Sequence, residues 1–145
     1  MTVVLDADVL IGALDASDPH HARARAIFTD WRRRRETLLV GVVNLSEVLV
    51  APAAETERLR RARAAIAALG VSIHRPTEAI GVEAARLRGA HPISLPDAYC
   101  LAAAKHLDAS VASFDQKIVR AARAERIDVT PTPAGAGTSR RRGGR

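Results

Sequence analysis

Short apolar runs alternating with amphipathic stretches constrain this chain more than any other feature of its sequence. Residues 2 to 6, Leu38 to Val43, Val71 to His74, Ala109 to Ser113 and Ile127 to Thr130 are each short enough, and apolar enough, to be strands. Between them the apolar spacing changes to that of helices. Ile27 and Trp31 stand four apart, flanked by Ala24 and Phe28, within His20 to Arg34. Leu59, Ala62, Ile66 and Leu69 form one stripe between Glu55 and Leu69, and Ile80, Ala84 and Leu87 form another within Thr77 to Arg88. Strands that alternate with helices predict parallel β-α-β units. The expected class is α/β, a three-layer α/β/α sandwich around a central, mainly parallel five-stranded sheet.

Glycine and proline punctuate the same pattern. A short helix is expected from about Val9, then turns from Asp15 to Pro19. Leu38 to Val43 reads as a strand buried on both faces, Asn44 then starts a helix carrying Glu47, and Pro52 ends it. Gly70 closes the Glu55 helix as a C-cap and Gly89 stops the next. Pro96 opens a helix of small residues, Ala98 to His106, whose Ala102, Ala103 and Ala104 allow close packing. A last helix is expected over Asp115 to Arg126. If early strands build outward on one side of the first strand and later ones on the other, the first and fourth become neighbours. Asp6 and Asp115 then end the two strands at the reversal point, where such sheets bind ligands.

A chain of 145 residues with 48% apolar content is the size of one domain. Residues 1–130 are expected to form it, and the Pro, Gly, Ala, Ser and Arg of 131–145, which follow no period, to form a disordered basic tail. Aromatic residues make up only 3%, so stacking platforms are not expected as the main device for recognising nucleic acid. Cys100 is the only cysteine, which excludes an intramolecular disulfide and a cysteine zinc site and suits a reducing compartment; it reads as a small buried helix residue. Asp6 and Asp8 interrupt the apolar N-terminus, which argues against a signal peptide, and no stretch reaches transmembrane length; a cytoplasmic protein is expected. The net charge is +6, of which Arg140, Arg141, Arg142 and Arg145 supply four, leaving 6 − 4 = +2 for the rest. The five histidines, His20, His21, His74, His91 and His106, show no helical metal-ligand pair and read as surface or core residues.

Four acids then stand out, Asp6, Glu47, Asp97 and Asp115, each placed where an apolar run yields to a helix or turn. Each has an ordinary explanation. Asn44 and Glu47 are spaced like an N-cap and its N3 acid, as are Ser94 and Asp97, and Asp6 and Asp115 can cap the helices that follow them. Only their shared edge argues for more. Carboxylates gathered together resist ionisation unless a cation neutralises them, and a hard divalent ion is the natural partner: Mg²⁺, with Mn²⁺ also suited to oxygen ligands.

The segments Val4-Leu5-Asp6-Ala7-Asp8-Val9-Leu10, Asn44-Leu45-Ser46-Glu47-Val48, Leu95-Pro96-Asp97-Ala98-Tyr99-Cys100 and Ala112-Ser113-Phe114-Asp115, in this order and spacing, resemble those of the PIN-domain ribonucleases. Within that family the chain is similar to VapC-type toxins of bacterial toxin-antitoxin pairs. The resemblance implies a Mg²⁺-dependent endoribonuclease that hydrolyses RNA phosphodiester bonds. It assigns Asp6, Asp97 and Asp115 to the metal, Glu47 to completing the cluster and orienting water, and Ser113 to a supporting hydroxyl position. Asp8 falls where many relatives carry a small polar residue; it either supports the metal site or caps the helix that follows, and the cap is the favoured expectation. Implied partners are RNA, a cognate antitoxin protein and a second copy of the chain, in a homodimer and a toxin-antitoxin hetero-oligomer, with no membrane. Two other readings stand beside this one. A non-catalytic RNA-binding module of the same fold would keep the architecture without the chemistry. Asp6-Ala7-Asp8-Val9 also resembles the start of haloacid-dehalogenase-like phosphatases, in which the first Asp is a nucleophile.

Overall fold

The computed structural model describes residues 1–130. Strands β1 (Thr2–Leu5), β2 (Thr37–Gly41), β3 (Val71–His74) and β4 (Ser110–Ala112) form one sheet in the order β3-β2-β1-β4. Every pairing is parallel, with Val4 opposite Leu39 on one side and Val111 on the other. The reversal expected between the first and fourth strands is therefore present, and its crevice opens beyond the ends of β1 and β4.

Alternation along β1 builds the layers. Val3 and Leu5 join a core with α1 (Ala7–Leu14), α2 (His21–Arg34), α3 (Val42–Leu49) and α4 (Thr56–Ala68), while Val4 faces a second core with α5 (Glu78–Ala90), α6 (Leu95–His106) and α7 (Gln116–Ala124). Leu10, Leu87, Leu101 and Ile118 are fully buried, each contributing roughly 1.5–3 kcal/mol of transfer free energy. Small residues on α6 do what their size predicts. Ala98, Cys100, Ala102, Ala103 and Ala104 are all buried, so neighbouring backbones come close on several sides at once.

Three details differ from the sequence reading. Ile127 to Thr130 contributes a single parallel bridge, Val111 to Val129, so the sheet has four strands among the described residues. That bridge carries two hydrogen bonds, from Val111 N to Asp128 O and from Thr130 N to Val111 O. Val42 and Val43 leave the sheet, because Gly41 in extended geometry is the N-cap of α3 and Asn44 lies inside that helix. Within β2, Leu38 and Val40 are buried while Leu39 is only partly so. Gly89 also sits inside α5, which runs to Ala90, whereas Gly70 adopts φ 78° just past α4 as a C-terminal glycine should. The expectation of a disordered tail over 131–145 lies outside the described residues.

Candidate active site

Asp6 follows the last residue of β1 and is held there by its own backbone, whose N–H donates to Ala112 O of β4 at 2.9 Å. Its side chain caps α1: Oδ1 accepts from Ala7 N at 2.8 Å, while Oδ2 accepts from the Ser113 hydroxyl at 2.8 Å. Only 4% of Asp6 is exposed. Burial first, then the charges of Asp8 and Asp97, push its carboxyl up to about 8 against the opposing hydrogen bonds from Ser113 and Ala7.

Asp8 does not cap α1, as the sequence suggested it would; Asp6 takes that place. Its Oδ2 reaches across to the turn after β4, accepting from Phe114 N at 2.9 Å and standing 3.4 Å from Ser113 Oγ. Its Oδ1 is buried with no hydrogen-bond partner among the described residues. Burial raises this carboxyl too, and Asp115 adds to the effect. Ser113 sits at the centre of the turn: its oxygen accepts from Asp115 N at 3.0 Å and its proton goes to Asp6.

Asp115 and Asp97 are both caps and neighbours of this cluster. Asp115 starts α7 by accepting from Lys117 N at 2.8 Å. Asp97 completes a capping box, with Ser94 N donating to its Oδ2 and its own N–H donating to Ser94 Oγ. Glu47 lies in the second half of α3, exposed, and caps nothing. Partial burial raises its carboxyl, opposed by the Asn44 amide and reinforced by Asp97 and Asp8. Asn44, which the sequence reading made a cap, is only 1% exposed; its amide donates to Pro96 O at 3.1 Å and to Glu47 Oε2 at 3.4 Å. It thereby ties α3 to the first turn of α6. A polar residue inside the apolar run 38 to 45 was the signal for it.

All five acids therefore share one edge of the sheet. Asp6 is raised by Asp8 and Asp97, Asp8 by Asp115, and Glu47 by Asp97 and Asp8. Among the described residues, no basic side chain pairs with any of them. Nor, among the same residues, do three His, Cys, Asp or Glu side chains stand grouped as a ready-made metal cage. The four aspartates each turn to a backbone donor and Glu47 to the Asn44 amide, which keeps the carboxylates apart. The donor set nonetheless fits a hard cation: it is all oxygen, it includes the unpartnered Asp8 Oδ1, and Mg²⁺ needs only one or two carboxylates with water completing its shell. Cys100, buried beneath the acids, has its thiol pushed well up by burial and is held neutral.

A parallel α/β sheet with acids placed at the topological switch defines a class of folds rather than one protein. The PIN domain family model matches residues 3–124, and the chain belongs to that family. This membership removes the haloacid-dehalogenase reading, which left Glu47 and Asp97 without a role. No curated protein matches the chain at a significant level. Among solved structures, FitAcB from Neisseria gonorrhoeae is 18% identical, with 90% of this chain and 97% of that one covered at a TM-score of 0.66. VapBC2 from Rickettsia felis, bound to a DNA fragment from its promoter, is 11% identical, with 90% and 98% covered and a TM-score of 0.69. VapC20 from Mycobacterium tuberculosis, described as a sarcin-ricin loop cleaving toxin, is 15% identical, with 82% and 94% covered and a TM-score of 0.66.

Proposed function

We propose that the chain is a divalent-metal-dependent endoribonuclease that acts in the cytoplasm as the toxin of a toxin-antitoxin pair, with Mg²⁺ as its ion and Mn²⁺ as a substitute. The observation that carries the reading is Asp6, buried at the switch point among four further carboxylates with no basic partner among the described residues, its carboxyl pushed up to about 8. Such a group is costly in isolation and useful once a cation arrives. Asp6, Asp97 and Asp115 would hold the ion directly or through water, Glu47 would orient the attacking water, and Ser113 fixes Asp6 and Asp115 relative to one another. When bound, a divalent ion acidifies water and stabilises charge on the phosphate. Arg58 and Arg61 line, with Glu47, a cleft of about 480 Å³ and offer phosphate contacts beside the acids. The toxin role draws on neighbours described as a toxin and as a toxin-antitoxin complex, and with it we propose an antitoxin partner and a homodimer.

The test measures metal-free stability and RNA cleavage for Asp6→Asn, Glu47→Gln, Asp97→Asn and Asp115→Asn. Cleavage is expected to fall at least about a hundredfold for the three aspartates, in the range seen when a charge-stabilising group is removed. Metal-free stability is expected to hold or rise for Asp6→Asn, and Mg²⁺ to stabilise wild type more than any variant. Intact cleavage with stability losses of about 1 kcal/mol would mean that the acids are caps and nothing else.

A further inference from the structure

Phe114 is carried by the turn that holds Ser113 and Asp115, and its N–H is tied to Asp8 at 2.9 Å, so the same contacts that build the acidic edge fix its ring. The imidazole of His20, at the entry to α2, stacks on that ring with centroids 4.5 Å apart and planes 15° from parallel. The guanidinium carbon of Arg23 stands 4.9 Å from the Phe114 centroid. Gly12 backs the pair. It lies one turn past Asp8 on the same face of α1, and a Cβ there would come within 3.5 Å of both the His20 Cβ and the Phe114 Cε2. Asp18 Oδ1 accepts the His20 N–H at 2.8 Å and holds its backbone in place.

One face of the imidazole is thus covered, yet 46% of the His20 side chain is open to solvent. The other aromatic residues are placed elsewhere: Phe28 and Trp31 are buried in the core on the α1–α4 side and Tyr99 packs against the other core. Next to the acids, the His20–Phe114 step is the flat surface available. Low aromatic content argued against stacking as the main recognition device, but a histidine ring has a π-face too, and cutting a strand requires only that one base beside the scissile phosphate be held in register.

We propose that His20, seated on Phe114, is a stacking platform for one nucleobase of single-stranded RNA, the base adjoining the phosphate held at the acidic edge. The inference rests on the nuclease reading for what occupies that edge. Stacking tolerates any base, so the platform sets register rather than sequence, and the nearby Arg23 charge favours the same occupant.

The experiment compares the full-length wild type with His20→Ala and His20→Phe on two oligoribonucleotides, one intact and one carrying an abasic ribose next to the cleavage position. Binding is read by fluorescence anisotropy in EDTA, and kcat/KM with Mg²⁺. His20→Ala is expected to weaken binding and lower kcat/KM about tenfold on intact RNA and to change neither on the abasic strand. His20→Phe, which keeps a flat ring, is expected to restore both, with thermal unfolding confirming that each variant is folded. Equal losses on the two strands, no loss on either, or failure of His20→Phe to rescue would overturn the platform. If wild type binds RNA without cutting it, the nuclease reading falls and the platform is judged on binding alone. If wild type binds no RNA, both fall.

Discussion

Ser113 shows how much of the site depends on a residue that carries no charge. Its hydroxyl oxygen accepts from Asp115 N and its O–H donates to Asp6, so one hydroxyl sets the relative placement of two acids that follow different strands. Ser113→Ala leaves Asp115 N unpaired and removes the bond that favours ionised Asp6. A stability loss of about 1 kcal/mol in urea unfolding is expected, with a fall in kcat larger than any change in KM, because the acids stay present but lose their register. Asn44→Ala should cost more, roughly 1–3 kcal/mol, since Asn44 is fully buried and bridges Glu47 to Pro96 O; wild-type stability after that change would remove its bridging role. At this scale the sequence was readable where charge met an apolar run, as at Asp6, and unreadable where the decisive fact was which donor a side chain would meet. Asp8 looked like a cap because it follows Asp6 into a helix. Only the fold brings Phe114 N within 2.9 Å of it. His20 is the surface residue the sequence suggested, but nothing in the sequence showed that its ring would stack on Phe114.

Elements were more legible than their ends. That β1 and β4 are neighbours was expected on the condition that early strands build outward on one side of the first, and the capping box at Ser94 and Asp97 was visible from spacing alone. What spacing could not settle was where β2 stops, because Val42 and Val43 suit a strand as well as a helix and Gly41 decides the matter by its extended φ and ψ. Caps and cluster were posed as rivals in the sequence; Asp6, Asp97 and Asp115 cap their helices, while Asp97 also raises the Asp6 carboxyl and Asp115 that of Asp8. Close packing between α1 and α2 is the element-scale feature most open to test. A Cβ at Gly12 would come 3.2 Å from Ala24 Cβ, a backbone-anchored atom that cannot swing aside. Gly12→Ala is therefore expected to destabilise by roughly 1–3 kcal/mol despite the better helix propensity of alanine. A stabilised Gly12→Ala variant in thermal unfolding would show that the two helices have room to part.

Across the whole molecule, charge is divided between two faces with opposite logic. The acidic edge keeps its carboxylates apart from cations, whereas on the far side Glu83 of α5 and Glu125 at the end of α7 are both paired. Glu83 accepts from Arg86 at 2.6 Å and from Lys105 at 2.9 Å, and Arg86 and His91 both hold Glu125. Hydrogen bonds from Arg86, then from Lys105, bring Glu83 down to about 2, and Arg86, then His91, lower Glu125. None of this network was legible in the sequence, since Glu83, Lys105 and Glu125 come from three elements whose registry only packing determines. Both carboxyls sit below their ordinary value of 4.5, so the stability they add is complete above that pH and is lost as pH falls through the window down to about 2. Arg86 and Lys105 are 48% and 43% exposed, so solvent screening keeps each pair weak. The measurement is the difference in unfolding midpoint between wild type and Glu83→Gln, which cancels the other carboxylates. That difference should be steady above pH 4.5, shrink toward pH 2, and be smaller throughout in molar salt, which screens exposed charges. A difference that grows on acidification would mean that Glu83 is better off protonated and that the far-side network does not hold it charged.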